Sequence, residues 1–481
     1  MNNDPVFTKS SQHHSYKQMI STGLIMAALA MSLSGCQNLK PQPPNVSADI
    51  PNSYDHSIQG SSIASQGYQQ FLADPRLVQV IELALSHNRD LRSASLNIQR
   101  AQQYYQIRKN DQFPMIAGRA ELLRQVSPTL DPNNPRSSLQ VGLGLTAYEL
   151  DFWGRVRNLK DAALDRYLAT QSARDAMQIS LVSQVSQAWL DYAFTHAQLK
   201  LAQQTLATQL NAYQLNQKRF DAGTDSEIPL RQAQISVETA RHDAANYQTQ
   251  VLQAQNLLNL LVGQQLPVDL LPQQPVKNIS TNTVLSTGLS TGLSSDLLNN
   301  RPDLKLAEYQ LHEAGANIAV AKAALFPSIR LTGSAGYAST QLSDLFKSGH
   351  AVWSIGPSLD LPIFDWGTRQ ANLKISKIEQ QIALSNYEKS IQSAFKEVND
   401  SLATRAYMDE RITAQQRLVD ATNRNYKLSN TRFRAGIDSY LSVLDAQRSH
   451  YAAEQSLLLL EQARLNNQIE LYKVLGGGLT Q

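Results

Sequence analysis

The sequence predicts an α+β membrane protein in which a small sheet with one apolar face and a long helical hairpin each occur twice. Three observations carry that reading. "RFDAGTDSEIPLRQAQ" at Arg219–Gln234 returns as "RFRAGIDSYLSVLDAQ" at Arg432–Gln447, and over Tyr213–Gln234 against Tyr426–Gln447 ten of 22 positions are identical without a gap, at an offset of 213. Each half also holds two short stretches with apolar residues at every second position, the pattern of a strand with one apolar face. Each half finally holds a run of about 69 residues without a helix breaker, ~100 Å of helix at 1.5 Å per residue.

The duplication runs the length of the chain. The same offset pairs Asp90-Leu91 with Asp303-Leu304, Phe113-Pro114 with Phe326-Pro327, Trp153-Gly154 with Trp366-Gly367, and Gly263 with Gly476. A unit of about 210 residues far exceeds the 20 to 50 of solenoid repeats. The expected organisation is a leader (1–35), an extended N-terminal segment (36–73), a first repeat (74–263), a connector (264–296), a second repeat (297–476) and a tail (477–481).

The leader has a signal peptide's layout, with Lys9 and Lys17 ahead of the apolar run "MISTGLIMAALAMSLSG". It ends in "LSGC", small residues before the chain's only cysteine, Cys36, which resembles the bacterial lipobox in which that cysteine is lipidated. A lone cysteine excludes an internal disulfide. Beyond the leader, nothing approaches the ~18 uninterrupted apolar residues of a spanning helix. Removing Lys9, Lys17 and Asp4 from the 43 basic and 40 acidic residues leaves 41 and 39, a near-neutral chain with no basic block suited to nucleic acid.

Each repeat opens on a helix, expected over Asp74 to about Lys109 and over Leu297–Leu325, and "FP" ends it because proline disfavours helix for the residue before it. Strands follow. Leu139, Val141, Leu143, Leu145 and Ala147 share one face, opposite Gln140, Gly142, Gly144 and Thr146; the partner, Met115–Gln125, alternates less cleanly. In the second repeat Ile329, Leu331, Gly333, Ala335 and Tyr337 share a face, as do Trp353, Ile355, Leu359, Leu361 and Ile363. The apolar parity of that last strand is shifted by one from its counterpart, which predicts a bulge or a compensating indel.

The helical hairpins come next, one from Gly154 to Gly263 turning at Gly223, the other from Gly367 to Gly476 turning at Gly436. Spacings of 4 and 3 mark apolar seams at Leu181, Val185, Ala188, Tyr192, Thr195, Leu199, Ala202 and Leu206, and at Leu384, Tyr387, Ile391, Ala394, Val398 and Ser401. Glycine suits the sharp turns and the helix C-caps. The connector, rich in proline, serine and threonine, reads as extended.

No enzyme signature survives. His312-Glu313 lacks the second histidine of a zinc helix, "GSAG" at Gly333–Gly336 is not a nucleophile elbow, and no His or Met cluster marks a metal site. The four strands cannot close a barrel alone, since the smallest closed membrane barrels have ~8 strands and a lipid-facing edge must be paired. Several chains must therefore pool their strands, unless the chain is an all-helical periplasmic coiled coil with irregular inserts.

"FLADPRLVQVIELALSHNRDLRSA", "FPMI", "YELDFWGRVR", "NNRPDL", "FPSIRLTG", "LPIFDWG" and "RFRAGIDSYLSVLDAQ" together resemble the TolC-type outer-membrane factors, specifically the lipidated OprM-like branch serving resistance-nodulation-division efflux pumps. The resemblance covers nearly all of the chain after the leader. It implies a homotrimer with a 12-stranded outer-membrane β-barrel, four strands per chain, continued by a periplasmic α-helical barrel. It implies a passive, gated exit duct, lipid-anchored and membrane-spanning, with no cofactor beyond the lipid on Cys36. The implied partners are a periplasmic membrane-fusion adaptor and an inner-membrane transporter; metal export and type I protein secretion use the same architecture. At the tips, Arg219, Phe220, Ala222, Gly223, Thr224, Asp225 and Ser226, with Arg432, Ala435, Gly436, Ile437, Asp438 and Ser439, match adaptor-contacting positions. Leu441 and Asp445 match an apolar and an acidic ring that gate the lumen, with Phe433 and Arg434 linking helices, and Arg434 is expected to pair and help hold the closed state. TolC has an acid where this chain has Pro229, so a first-repeat latch would have to use Asp225 or Glu227.

Overall fold

The structure, a computed structural model, describes residues 39, 43–47, 66–125, 136–272, 274–280, 300–477 and 479. The expected leader, Cys36, the loop after the first strand and residues 281–299 of the connector lie outside them. In chain order the helices are α1 (Tyr68–Phe71), α2 (Pro75–His87), α3 (Arg89–Asn110), α4 (Arg155–Asp221), α5 (Glu227–Val262), α6 (Pro302–Ala323), α7 (Thr368–Ala406), α8 (Met408–Arg434) and α9 (Tyr440–Val474). The strands are β1 (Ile116–Gln125), β2 (Arg136–Leu150), β3 (Ser328–Ser339) and β4 (Ala351–Asp360). No helix among the described residues is long and apolar enough to cross a membrane.

The chain divides into two compact units, and both repeats contribute to each. One contains residues 102–166 and 310–384 and carries the sheet. Its order is β1-β2-β3-β4, antiparallel throughout. The predicted irregularity is a bulge in β2: Leu145 pairs with Gly333 and Tyr148 with Leu331, so Thr146 and Ala147 oppose Thr332 alone. This corrects the placement of Ala147 on the apolar face, since it sits inside the bulge at φ 48°. It also explains the parity shift, because β2 holds one residue that β4 lacks. A second correction concerns β4, which ends at Asp360, so Leu361 and Ile363 lie beyond the strand. Below the sheet, the Trp153 indole stacks on Phe326 at 4.7 Å and donates its N–H to the Pro327 carbonyl at 2.7 Å.

The other unit, residues 46–101, 167–309 and 385–481, is helical. The first seam is its spine: Leu181, Val185, Ala188, Tyr192, Leu199 and Ala202 are all buried. Trp189 is wholly buried and donates its indole N–H to the Leu270 carbonyl at 3.0 Å, and Phe71 stacks on Tyr472 at 4.1 Å. The described part of the connector holds a 3₁₀ turn at Val268–Leu270, with Leu266, Leu271 and Ile279 buried in this core.

Three helices predicted as continuous are interrupted, one of them at Arg301, which is non-helical between residue 300 and Pro302, so that helix starts at Pro302 rather than Leu297. The first breaks at Asn88, where ψ is 130°. The Asn88 side chain accepts from the Leu91 amide at 2.9 Å and donates to the Leu261 carbonyl at 2.8 Å, so the break is capped by the residue that causes it. The third long helix breaks at Tyr407 (φ −108°, ψ 3°), beside the buried Met408.

The repeats preserve contacts as well as sequence. Gly263 lies so close to the His87 carbonyl that an added Cβ would stand 2.5 Å from its oxygen, and Gly476 lies equally close to the Asn300 carbonyl, at 2.6 Å. Where Asn88 donates to Leu261, its counterpart Arg301 donates to the Val474 carbonyl at 3.2 Å, and Arg301 also binds Asp303 and Glu397 at 2.6 and 2.8 Å. Every one of these pairs is related by the offset of 213.

Candidate functional site: the sheet face and the hairpin tips

Antiparallel partners share a face, so the register sorts the sheet. One face carries Ile116, Ala120 and Leu122 of β1, Leu139, Val141, Leu143, Leu145, Tyr148 and Leu150 of β2, Ile329, Leu331, Ala335 and Tyr337 of β3, and Trp353, Ile355, Pro357 and Leu359 of β4. The opposite face carries Arg119, Glu121, Gln140, Glu149, Arg330, Thr332, Ser334, Ser354 and Ser358. The bulge makes this sorting possible, because without it Leu139–Leu145 would face the other way from Tyr148 and Leu150. Among the described residues nothing covers the apolar face: Trp353 is 78% exposed, and Ile116, Leu122, Leu143, Ile355 and Leu359 are exposed with it. Among the described residues β1 and β4 each have one neighbour, so both edges present unpaired backbone.

In the helical unit the two tips have one hydrogen-bond pattern. At the first, the Gly223 amide donates to the Phe220 carbonyl (2.8 Å) and Thr224 to Arg219 (3.0 Å); at the second, Gly436 donates to Phe433 (2.9 Å) and Ile437 to Arg432 (2.9 Å). This is the Schellman arrangement, with Gly223 and Gly436 left-handed at φ 70° and 73°. Ser226 and Ser439 stand at the N-caps of α5 and α9 without a side-chain cap bond. Ala222, Thr224, Ser226, Ala435, Gly436, Ile437 and Ser439 are exposed. Asp225 accepts from the Ser226 amide at 2.9 Å, and Glu227 pairs with Arg231 at 2.8 Å along its own helix.

The tips also bind one another. Phe433 is buried among Ala233, Tyr440, Val443 and Leu444, and the Arg219 guanidinium lies over its ring at 4.8 Å. Burial pushes the Tyr440 phenol up to about 12. The sequence named Arg219 and Phe433 separately and missed their contact, although the "RF" shared by both tips was a signal. It missed the ion pair too: Arg432 grips Asp438 through two hydrogen bonds of 2.6 and 2.9 Å, which hold the Asp438 carboxyl below the usual carboxylate range. Arg434, expected to pair and help hold the closed state, is exposed and makes no ion pair among the described residues of the single chain. Leu441 is 50% exposed and Asp445, one turn on, is exposed beside it, while Tyr440 and Leu444 face inward. The first turns of α9 thus present a leucine and a carboxylate outward on one face. Among the described residues no group of three or more His, Cys, Asp or Glu side chains could hold a metal ion.

The outer membrane efflux protein family matches the chain twice, over residues 80–264 and 293–477, two stretches again 213 residues apart. The chain is 39% identical over 468 residues to the solvent efflux pump outer membrane protein SrpC of Pseudomonas putida, across 95% of this chain and 98% of that one. It is 37% identical over 464 residues to the cation efflux system protein CusC of Escherichia coli, across 95% and 99%. Its fold is similar to that of the open state of the Neisseria gonorrhoeae MtrE outer membrane channel, with a TM-score of 0.83 at 37% identity over 91% and 98% of the two chains.

Proposed function

From the premise that the chain belongs to the outer membrane efflux protein family, we propose that it is the exit duct of a tripartite pump that expels drugs and other small toxic solutes. It is a TolC-like channel of the outer membrane. Three copies pool their strands into a 12-stranded barrel, lipid bound to Cys36 tethers each copy, and the duct itself consumes no energy. A periplasmic adaptor docks on the hairpin tips, and an inner-membrane transporter supplies the driving force. The observation that carries this reading is the four-stranded sheet with one continuous apolar face and two unpaired edges, which only lipid and further strands can satisfy together.

Leu441 and Asp445 form the gate. Copied around an axis, three leucines narrow the lumen and three carboxylates repel one another while attracting cations. Planar-bilayer recording tests this: Leu441→Ala and Asp445→Ala each raise single-channel conductance, and unchanged conductance in both removes the gate from these positions. The likeness to CusC keeps a second substrate class, metal cations, in view. A deletion strain challenged with antibiotics, solvents and metal salts separates the two by which challenge it fails.

A further inference from the structure

One charge lies on the apolar face of the sheet. Of the described strand residues that the register places on that face, Arg124 alone carries a charge. It pairs with Ser137, one two-residue step beyond the Leu122–Leu139 pair, at the end of the sheet that points away from the helices. Its counterpart at the offset of 213 is Tyr337, on the same face of β3. Arg124 is exposed and makes no ion pair among the described residues.

Depth gives that position a meaning. On β2 the apolar face runs 11 residues from Leu150 to Leu139, ~36 Å of strand and ~28 Å of depth at the ~40° tilt of membrane barrels, close to the ~25 Å of their apolar band. Arg124 therefore stands just beyond the outer edge of the band, where a cation on a lipid face is tolerated and headgroup phosphates begin. The loop after β3 brings a second cation to the same end. Its Phe346 ring folds back against Tyr337, with centroids 5.6 Å apart, and Leu342 and Phe346 are exposed. Lys347, next in sequence, is exposed and gives one N–H to Asp344 at 2.6 Å, which leaves two. At the helix end of the sheet Glu149, Arg330 and Asp360 all lie on the polar face. Among the described residues, cations thus mark the outer rim of the apolar face and not the inner one.

We infer that Arg124 and Lys347 hold phosphate groups of the outer leaflet, so that the rim selects a phosphorylated glycolipid over other lipids. A guanidinium can grip a phosphate through two N–H groups at once. Tyr337 and Phe346 supply interfacial aromatic surface beneath it, and the apolar face takes the acyl chains. One lipid meets both demands, whereas a soluble anion meets only the first. The inference rests on the reading that the apolar face meets lipid, and it adds which lipid and which side chains hold it.

Three probes added to the full-length protein in detergent test it: diphosphoryl lipid A, the same lipid without its phosphates, and inorganic pyrophosphate. The diphosphoryl lipid should raise the unfolding temperature by several degrees, and the other two should not. Arg124→Gln with Lys347→Gln should lose most of that rise, Arg124→Lys should keep part of it, and Arg119→Gln, on the polar face, should keep all. The double variant should conduct in planar bilayers as the wild type does, which checks that it folds. An equal rise in the double variant, or with the dephosphorylated lipid, overturns the phosphate contact. An equal rise with pyrophosphate makes the ligand a soluble anion and overturns the lipid assignment. A wild-type protein that never conducts overturns the duct instead, while the lipid-dependent rise still decides the rim.

Discussion

Glycines separate conformational from steric demands at the level of single residues. Gly223 sits at φ 70° with nothing within 4 Å of an added Cβ, so Gly223→Ala costs only the left-handed penalty, about 1–2 kcal/mol. Gly263, at φ 82°, would also drive its Cβ onto the His87 carbonyl, so Gly263→Ala adds a further ~1–3 kcal/mol of overpacking. Thermal unfolding should rank the two variants in that order, and equal losses would contradict it. The Asp438 carboxyl gives a pH dependence. Its pKa is depressed in the folded chain by hydrogen bonds from Arg432. Its contribution is therefore complete above the ordinary aspartate range and lost as pH falls through the depressed value. Carboxyl NMR should find Asp438 titrating below an ordinary aspartate and rising towards it in Arg432→Ala. An unmoved value in that variant would assign the depression elsewhere. The pairing of Arg432 with Asp438 was not legible in the sequence, because it depends on how the turn at Gly436 folds residues 432 and 438 together.

At the scale of elements, the β2 bulge decides which side of the sheet meets lipid. The sequence contained its trace, an apolar parity that disagreed between the repeats, but a parity mismatch does not say which strand carries the extra residue. Pairing across to β3 does, because only Thr146-Ala147 lack an equal number of partners. Deleting Ala147 should turn Leu139–Leu145 to the polar face and abolish assembly in the outer membrane, read as loss of the heat-resistant oligomer. Ala147→Gly should instead relieve the positive φ and stabilise by about 1 kcal/mol. A deletion variant that assembled normally would mean that the bulge is dispensable. The long seams were legible because heptad spacing is local information. The breaks at Asn88 and Tyr407 were not, since Asn88 turns the chain by bonding Leu261, 173 residues away.

On the scale of the whole molecule, duplication and topology agree. Both repeats supply two strands and a hairpin, and the offset that aligns their sequences also aligns Gly263 with Gly476 against the carbonyls of His87 and Asn300. Among the described residues of a single chain the sheet nevertheless ends at two open edges with its apolar face uncovered. Sequence arithmetic reached that incompleteness from strand number alone. It did not reach the identity of the edges, which required the observed order of β1 to β4. That incompleteness requires further copies, and the mass of the detergent-extracted particle tests the requirement most directly. Light scattering corrected for bound detergent should return three chains per particle; a particle of one chain, stable in detergent, would contradict it.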